Sequence, residues 1–188
     1  MFINFIKFFV IFFLISCVSH QKETAAINVA QETIECGYNP EDYACNFTYF
    51  DQNDKKISLH DFKGKVILLD FSTIWCYWCN VAAMEEGDIV SNYGDKDFVW
   101  ITVLIEDSNG DRPSCSDLKL WIDKHSITSP VLSGTTDILD YEDDGIDVGY
   151  RNGGWPSFVV ISKDMIIKEY IYGWSKEKIM LSLDKELK

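Results

Sequence analysis

Positively charged side chains are scarce in this 188-residue chain. Its 17 Lys and Arg residues are outnumbered by 30 Asp and Glu residues, which gives a formal net charge of −13 at pH 7. Nucleic acids and anionic lipid surfaces attract proteins that carry clustered basic side chains. The composition therefore argues against nucleic acid as a partner and against electrostatic docking on an anionic membrane.

A long apolar run is also missing. The N-terminal run from Phe8 to Ile15 has eight residues, whereas a membrane-spanning helix needs about 20. It follows a single charge, Lys7, and polar residues resume directly after Cys17. This pattern is typical of a secretory signal rather than of a transmembrane anchor.

The segment Leu14–Cys17 resembles the bacterial lipobox, in which a cysteine becomes the lipidated first residue of the mature protein. The resemblance implies a lipoprotein signal peptide over residues 1–16, acyl chains on Cys17 and a polar tether over residues 17–35. An ordinary cleaved signal peptide is the alternative. On the lipoprotein interpretation, a lipid anchor holds the protein at a membrane of the bacterial cell envelope, facing the periplasm or the exterior, where disulfides persist.

A second closely spaced cysteine pair is absent, and its absence excludes several kinds of site. A structural zinc site needs four ligands, usually from two such pairs, but Cys76 and Cys79 stand alone. A c-type haem site would need histidine at the position of Asn80. A structural disulfide across so small a loop would remove little chain entropy. A redox role remains, and neither a metal nor another cofactor is expected.

The pattern around the pair places it between a strand and a helix. Residues 64–72 form a continuous apolar run typical of a strand buried on both faces, and residues 76–94 have helical character. Unbonded N–H groups and the partial positive charge of the first helical turn stabilise a thiolate. Cys76 is therefore expected to attack, and Cys79, one turn further in, to resolve the mixed disulfide. The inward stripe expected for this helix is Val81, Met84, Asp88 and Ile89.

Alternating strands and helices predict one α/β domain over residues 36–188. A hairpin is expected before the central strand, and a second buried strand over residues 98–106. A helix capped by Ser116 or Asp117 should follow, and Ser175 should cap a closing amphipathic helix. This order predicts a mixed parallel and antiparallel sheet that is covered on two faces.

The stretch VILLDFSTIWCYWC resembles the core of thioredoxin, in which an acid and a Phe precede Trp-Cys-x-x-Cys. The preceding CNFTYFDQNDKKISLHDFKGK is similar to the N-terminal hairpin of exported thioredoxin-like proteins of the TlpA/ResA and redoxin (AhpC/TSA-like) type. The later GGWPSFVVIS resembles their cis-proline segment. The resemblance implies a thioredoxin-like three-layer sandwich, with a mixed central sheet, helices on both faces and an N-terminal β-hairpin.

The same resemblance implies roles for single residues. Asp70 would be the buried acid that takes the proton of the resolving thiol, with its pKa raised by desolvation. Pro156 would be the cis-proline against the cysteine pair, and the backbone of Trp155 would pair with a substrate chain. Trp75 would pack beside the pair. A solvent-facing acid at the strand end and a plain core aromatic are the alternatives for Asp70 and Trp75.

Two departures from the family pattern change these expectations. Tyr77 and Trp78 stand where many relatives have Gly-Pro, so family reduction potentials do not transfer, and two aromatic rings face a partner. Cys45 replaces a proline of the pattern. It is expected to form a structural disulfide with Cys36 or Cys115, and the three pairings of these cysteines stay open.

The resulting prediction is a lipid-anchored thiol–disulfide oxidoreductase. It would act on disulfides or thiols of exported proteins and exchange electrons with an upstream redox partner. One alternative is a thiol peroxidase, for which Thr73 is available, although Arg112 and Arg151 lie in distant segments. The other is a thioredoxin-like copper carrier without catalysis, which would want a wider cysteine spacing and a distal histidine.

Overall fold

The computed structural model describes residues 35–94, 96–140 and 148–188. The predicted signal peptide, Cys17 and all of the predicted tether except Glu35 lie outside the described residues. Within the described part, no helix is both long and apolar enough to cross a membrane.

The described residues form strands and helices in the predicted alternation. The strands are β1 (Cys36–Gly37), β2 (Tyr43–Ala44), β3 (Thr48–Asp51), β4 (Lys56–Ser58), β5 (Val66–Thr73), β6 (Phe98–Glu106), β7 (Val131–Ser133), β8 (Leu139–Asp140), β9 (Tyr150–Arg151), β10 (Ser157–Ile161) and β11 (Ile167–Tyr172). The helices are α1 (Tyr77–Asn92), α2 (Cys115–His125) and α3 (Lys176–Glu186), with 3₁₀ turns at Leu59–Phe62 and Thr136–Ile138.

Seven of these strands form one mixed sheet, in the order β11-β10-β5-β6-β7-β3-β4. The pairs β5–β6 and β6–β7 are parallel, and the other neighbours are antiparallel. Every residue of β5 is buried, as expected for an uninterrupted apolar run covered on both faces. The end of β5 that leads into α1 therefore lies near the middle of the sheet.

Alternation along the strands divides the core between two faces. On one face, even-numbered residues of β5 and β6 such as Leu68, Trp100 and Leu104 pack against side chains of α1, α2 and α3. On the other face, odd-numbered residues such as Leu69 and Val103 pack against Leu59 and Ile138 of the 3₁₀ turns and against the N-terminal strands. The three-layer thioredoxin-like fold is confirmed; among the described residues, short 3₁₀ turns and the N-terminal strands cover the second face.

The predicted N-terminal hairpin is present as β3 and β4, with Thr48 opposite Ser58. The Asp51 carboxylate accepts hydrogen bonds from the backbone N–H groups of Asn53 and Lys55, which closes the turn. Strand β3 also pairs with β7. The hairpin therefore extends the central sheet.

Two expectations for the helices are wrong in detail. Helix α2 is capped by Ser114, one turn earlier than Asp117, because these two residues form a reciprocal capping box. In α1, Met84 and Asp88 are exposed. Ile89 is buried as predicted, and the rest of the inward face carries Cys79, Ala82, Ala83 and Glu86. The small alanines let α1 lie close to the sheet. In α3, Ser175 is the N-cap, as predicted.

Candidate active site

The cysteine pair occupies the turn from β5 into α1. Cys76 is the N-cap of α1, with extended backbone dihedral angles, and its Sγ atom accepts the backbone N–H of Cys79 at 3.1 Å. The sulfur thus lies where the unbonded N–H groups of a helix N-terminus point, a position that stabilises negative charge. Both cysteines are free thiols in this structure.

The two sulfur-bearing side chains differ in their access to solvent. Cys76 retains 6% exposure, and Cys79 is fully buried. Burial raises the pKa of Cys79 well above its usual value, and the hydrogen bond with Cys76 and the negative charge of Asp70 act in the same direction. The deeper thiol therefore holds its proton until an acceptor removes it.

Asp70 lies on β5 beneath the pair and is 1% exposed. Its Oδ1 atom accepts a hydrogen bond from Ser72 Oγ at 2.6 Å, and its Oδ2 atom accepts from Trp100 Nε1 at 3.4 Å and Thr102 Oγ1 at 3.3 Å. Burial raises the pKa of Asp70 from 3.8 to about 7, although these hydrogen bonds oppose the shift. Near neutral pH this carboxyl can both take up and release a proton.

A second buried carboxyl belongs to Glu86, which sequence reasoning missed. Glu86 is 1% exposed, and the Ser129 side chain and the backbone of Thr128 and Ser129 lie close enough to its carboxylate to lower its pKa, against the larger effect of burial. Burial raises the pKa of Glu86, and its charge adds a smaller contribution to the raised pKa of Asp70. The sequence does contain a signal for Glu86. It follows Cys79 by seven residues, about two helical turns, so both side chains lie on the same face of α1.

Three aromatic side chains surround the pair at the surface. Trp75, Tyr77 and Trp78 are 52%, 71% and 53% exposed, so Trp75 is not a buried core aromatic. The Trp75 Nε1–H group donates to Glu106 Oε2 at 2.9 Å, and the rings of Tyr77 and Trp78 meet edge to face.

The segment that resembles the cis-proline loop lies beside the pair. The peptide bond between Trp155 and Pro156 is cis. Pro156 is buried, and the half-buried Trp155 packs against the apolar cluster that contains Cys76 and Cys79. The structure therefore brings together the turn at the start of α1, the acid on β5 and the loop before β10.

The remaining described cysteines lie outside this site. Cys36 and Cys45 form a disulfide with an S–S distance of 2.05 Å, which selects one of the three open pairings. Cys115 is a free thiol whose Sγ atom donates to Asp54 Oδ1 at 2.8 Å. That hydrogen bond raises the pKa of Cys115.

This arrangement of sheet, dithiol turn and buried acid is that of a thioredoxin-like thiol–disulfide oxidoreductase. Within that class the chain belongs to the AhpC/TSA family, whose model matches residues 40–170.

Similar proteins agree with this assignment of fold. The thioredoxin-like protein YneN of Bacillus subtilis is 26% identical over 148 residues, which cover 78% of this chain and 79% of YneN. A thiol:disulfide interchange protein of the thioredoxin family from Chlorobium tepidum has a TM-score of 0.61 at 19% identity, covering 82% of this chain and 98% of its own. The exposed lipoprotein thioredoxin Etrx1 of Streptococcus pneumoniae has a TM-score of 0.55 at 25% identity, covering 76% and 100%.

Proposed function

We propose that this protein catalyses thiol–disulfide exchange with cysteines of exported proteins, through Cys76 and Cys79, with Asp70 as the group that moves the proton. One observation carries the proposal. The Cys76 sulfur lies at the N-terminus of α1, where it accepts the N–H of Cys79, and Cys79 lies close enough to the buried Asp70 carboxyl for the charge of that group to raise its pKa, while the pKa of Asp70 itself is raised to about 7.

In the reducing direction, the Cys76 thiolate attacks one sulfur of a partner disulfide. The partner S–S bond breaks, and its other sulfur leaves as a thiolate that takes a proton from water. Cys79 then gives its proton to the Asp70 carboxylate while its sulfur attacks Cys76 Sγ. The mixed disulfide breaks, and the partner's second sulfur leaves and is protonated. Two electrons have passed to the partner, and the oxidising direction is the reverse of these steps.

The partner would dock on the aromatic surface around Cys76. Trp75, Tyr77 and Trp78 expose large rings there, and such rings supply contact area at low cost in side-chain entropy. The backbone of Trp155 and the ring of Pro156 would border the bound segment of the partner.

The proposed location is a membrane of the bacterial cell envelope, with the catalytic domain facing the periplasm or the exterior. The signal-like N-terminus and the lipobox at Cys17 support it, as does the likeness to an exposed lipoprotein thioredoxin. In this proposal residues 1–16 are removed, residues 17–35 are the tether and residues 36–188 are the catalytic domain. Radiolabelled palmitate should be incorporated by the wild-type chain and not by Cys17→Ser, and a labelled Cys17→Ser variant would refute lipidation at this residue.

A redox titration against glutathione tests the proposed chemistry and gives its direction. The proposal expects a two-electron transition of Cys76 and Cys79 that disappears in Cys79→Ala. A potential of about −270 mV would indicate a reductant, and one of about −120 mV an oxidant. The Cys36–Cys45 pair should be followed separately by peptide mass spectrometry, since only the Cys76–Cys79 transition tests the proposal. Absence of that transition would refute it.

The arginines do not favour the peroxidase alternative. A peroxidatic cysteine would want a nearby arginine, but Arg112 donates to Ser133 and lies over the ring of Tyr49, and Arg151 donates to Asn39. We expect slow peroxide consumption by the reduced chain relative to its reduction of a protein disulfide.

Copper titration of the reduced chain tests the copper-carrier alternative. That alternative expects copper binding that is lost in Cys79→Ser.

A further inference from the structure

The side-chain amide of Asn80 connects the cysteine turn to the end of α2. Its Nδ2 group donates to the backbone carbonyls of Ile74 at 3.0 Å and Cys76 at 2.7 Å. Its Oδ1 atom accepts from Lys124 Nζ at 2.6 Å and lies 3.1 Å from His125 Nε2. All the hydrogen-bonding positions of the amide are thereby used.

The orientation of this amide is fixed by chemistry. The Lys124 ammonium can only donate, so the atom that faces it is the oxygen, and the two N–H bonds point at the two carbonyls. His125 Nε2 must then carry the proton in its bond to the same oxygen. Aspartate would keep the acceptor and lose both donors, and alanine would lose every bond. The site is therefore built for a primary amide of this length.

The two carbonyls that accept hydrogen bonds from the Asn80 amide belong to Ile74 and Cys76. The backbone from Trp75 to Cys76 lies between them. The carbonyl of Cys76 also accepts the backbone N–H of Asn80 at 3.1 Å, and the N–H of Cys76 donates to Thr73 at 3.3 Å. With the peptide units on both sides fixed, the direction of the Cys76 side chain is fixed too. The sulfur is then held where the Cys79 N–H reaches it.

The groups that bind the Asn80 amide oxygen lie against buried side chains of the core. The rings of His125 and Trp121 lie 4.5 Å apart, and Trp121 is buried in the cluster that contains both cysteines. Burial lowers the pKa of His125, and the charge of Lys124 lowers it further, so the ring is neutral and Lys124 supplies the positive charge. A cation on Oδ1 strengthens the two N–H donors of the same amide.

We propose that Asn80 is a positioning residue for Cys76, and that Lys124 reinforces it by polarising the amide. Asn80 does not touch the partner. It holds the carbonyls of Ile74 and Cys76, so that the sulfur stays at the positive end of α1 and the attacking thiolate is favoured. The inference rests on the proposed exchange reaction and adds a residue of α2 to its machinery.

The test is the rate at which iodoacetamide alkylates Cys76 in the reduced full chain between pH 5 and pH 9. Peptide mass spectrometry reads the label on Cys76 alone, relative to a cysteine peptide added to the same sample. Asn80→Ala should lower the relative rate at pH 6 by about tenfold, because the thiolate loses its fixed place at the helix N-terminus. Asn92→Ala, an exposed asparagine at the other end of α1, is the matched control and should change nothing.

A second pair of variants tests the reinforcing charge. Lys124→Met should lower the relative rate at pH 6 by about threefold, since a hydrogen bond to a charged group is stronger than a neutral one. Lys119→Met removes the same charge from an exposed position of the same helix and should have no effect. If Asn80→Ala fails to fold by circular dichroism, this pair decides the proposal.

A merely structural role gives a different result. Asn80→Ala would then lower the urea midpoint while Cys76 kept its wild-type rate at pH 6, and Lys124→Met would match Lys119→Met. Either result would overturn the proposal for Asn80. The proposed function would still stand in that case if Cys76 of the wild-type chain reacted faster at pH 6 than the reference peptide. A wild-type chain that reacts no faster than that peptide would overturn the proposed function as well, so the two failures are distinguishable.

Discussion

At the scale of single residues, the site depends on two buried acidic groups with different tasks. Asp70 is surrounded by three donors, from Ser72, Trp100 and Thr102, yet burial raises its pKa to about 7. Cys79 is fully buried beside it, and burial raises its pKa as well. In the proposed reaction the thiol needs a base within the core, and Asp70 is a carboxyl whose pKa suits that exchange at neutral pH.

The first prediction concerns the rate of resolution. Asp70→Asn cannot accept the Cys79 proton, so the release of a partner from the mixed disulfide should slow by roughly tenfold to a hundredfold. In the wild-type chain this rate should rise as the pH passes through about 7, where Asp70 loses its proton. Stopped-flow quenching followed by mass spectrometry measures the lifetime of the mixed disulfide. A pH profile that is identical in the two chains would refute the role of Asp70.

The second prediction concerns stability. Because the pKa of Asp70 is higher in the folded chain than its usual 3.8, the protonated carboxyl stabilises the fold below about pH 4, and this contribution is lost as the pH rises through 7. Asp70→Asn should therefore raise the free energy of unfolding at pH 8, by up to ~4 kcal/mol, and leave it nearly unchanged at pH 4. Urea titrations at both pH values measure this, with the exposed Asp164→Asn as control.

At the scale of single elements, features that depend on the spacing of neighbouring residues were predicted more successfully than features that depend on packing between elements. The apolar run of β5, the pair at the start of α1 and the cap of α3 could all be found from neighbouring residues. Ser72 follows Asp70 at the strand period of two, but Trp100 and Thr102 reach the acid only through the register of β6 with β5. Of the predicted inward stripe of α1, Ile89 is buried but Met84 and Asp88 are exposed, because the rest of the buried row uses Cys79, two alanines and Glu86 instead of large apolar side chains.

The third prediction concerns the start of α2. Ser114 Oγ accepts the N–H of Asp117, and Asp117 returns a bond to the N–H of Ser114. Ser114→Ala should therefore lower the free energy of unfolding by about 1 kcal/mol. Ser116→Ala, which removes a hydroxyl of the first turn, should cost less. Equal losses in urea titrations would indicate that the capping box contributes nothing to stability.

At the scale of the whole molecule, contacts between distant segments decided what the sequence left open. Three pairings were available to Cys36, Cys45 and Cys115, and the choice depends on strands β1 and β2, which pair in parallel and bring the first two together. The Asn80 network likewise needs α2 to end against the first turn of α1. Neither arrangement has a signal in local periodicity.

The fourth prediction concerns the Cys36–Cys45 disulfide. The bond closes a loop between residues nine positions apart, so a Cys36→Ala/Cys45→Ala chain should lose about 2–3 kcal/mol of unfolding free energy. Cys115→Ser should change stability little, and neither variant should alter the reactivity of Cys76. Urea titration and alkylation at pH 6 measure the two effects, and a slower Cys76 in the double variant would contradict the separation of the two cysteine sites.

Trapping of a mixed disulfide tests whether Cys76 is the attacking and Cys79 the resolving cysteine. A reduced Cys79→Ala chain is mixed with a protein disulfide, quenched with acid and mapped by mass spectrometry, alongside a Cys76→Ala chain. We expect a stable mixed disulfide on Cys76 in the first chain and almost none on Cys79 in the second. Equal trapping on Cys79 in the second chain would contradict this expectation.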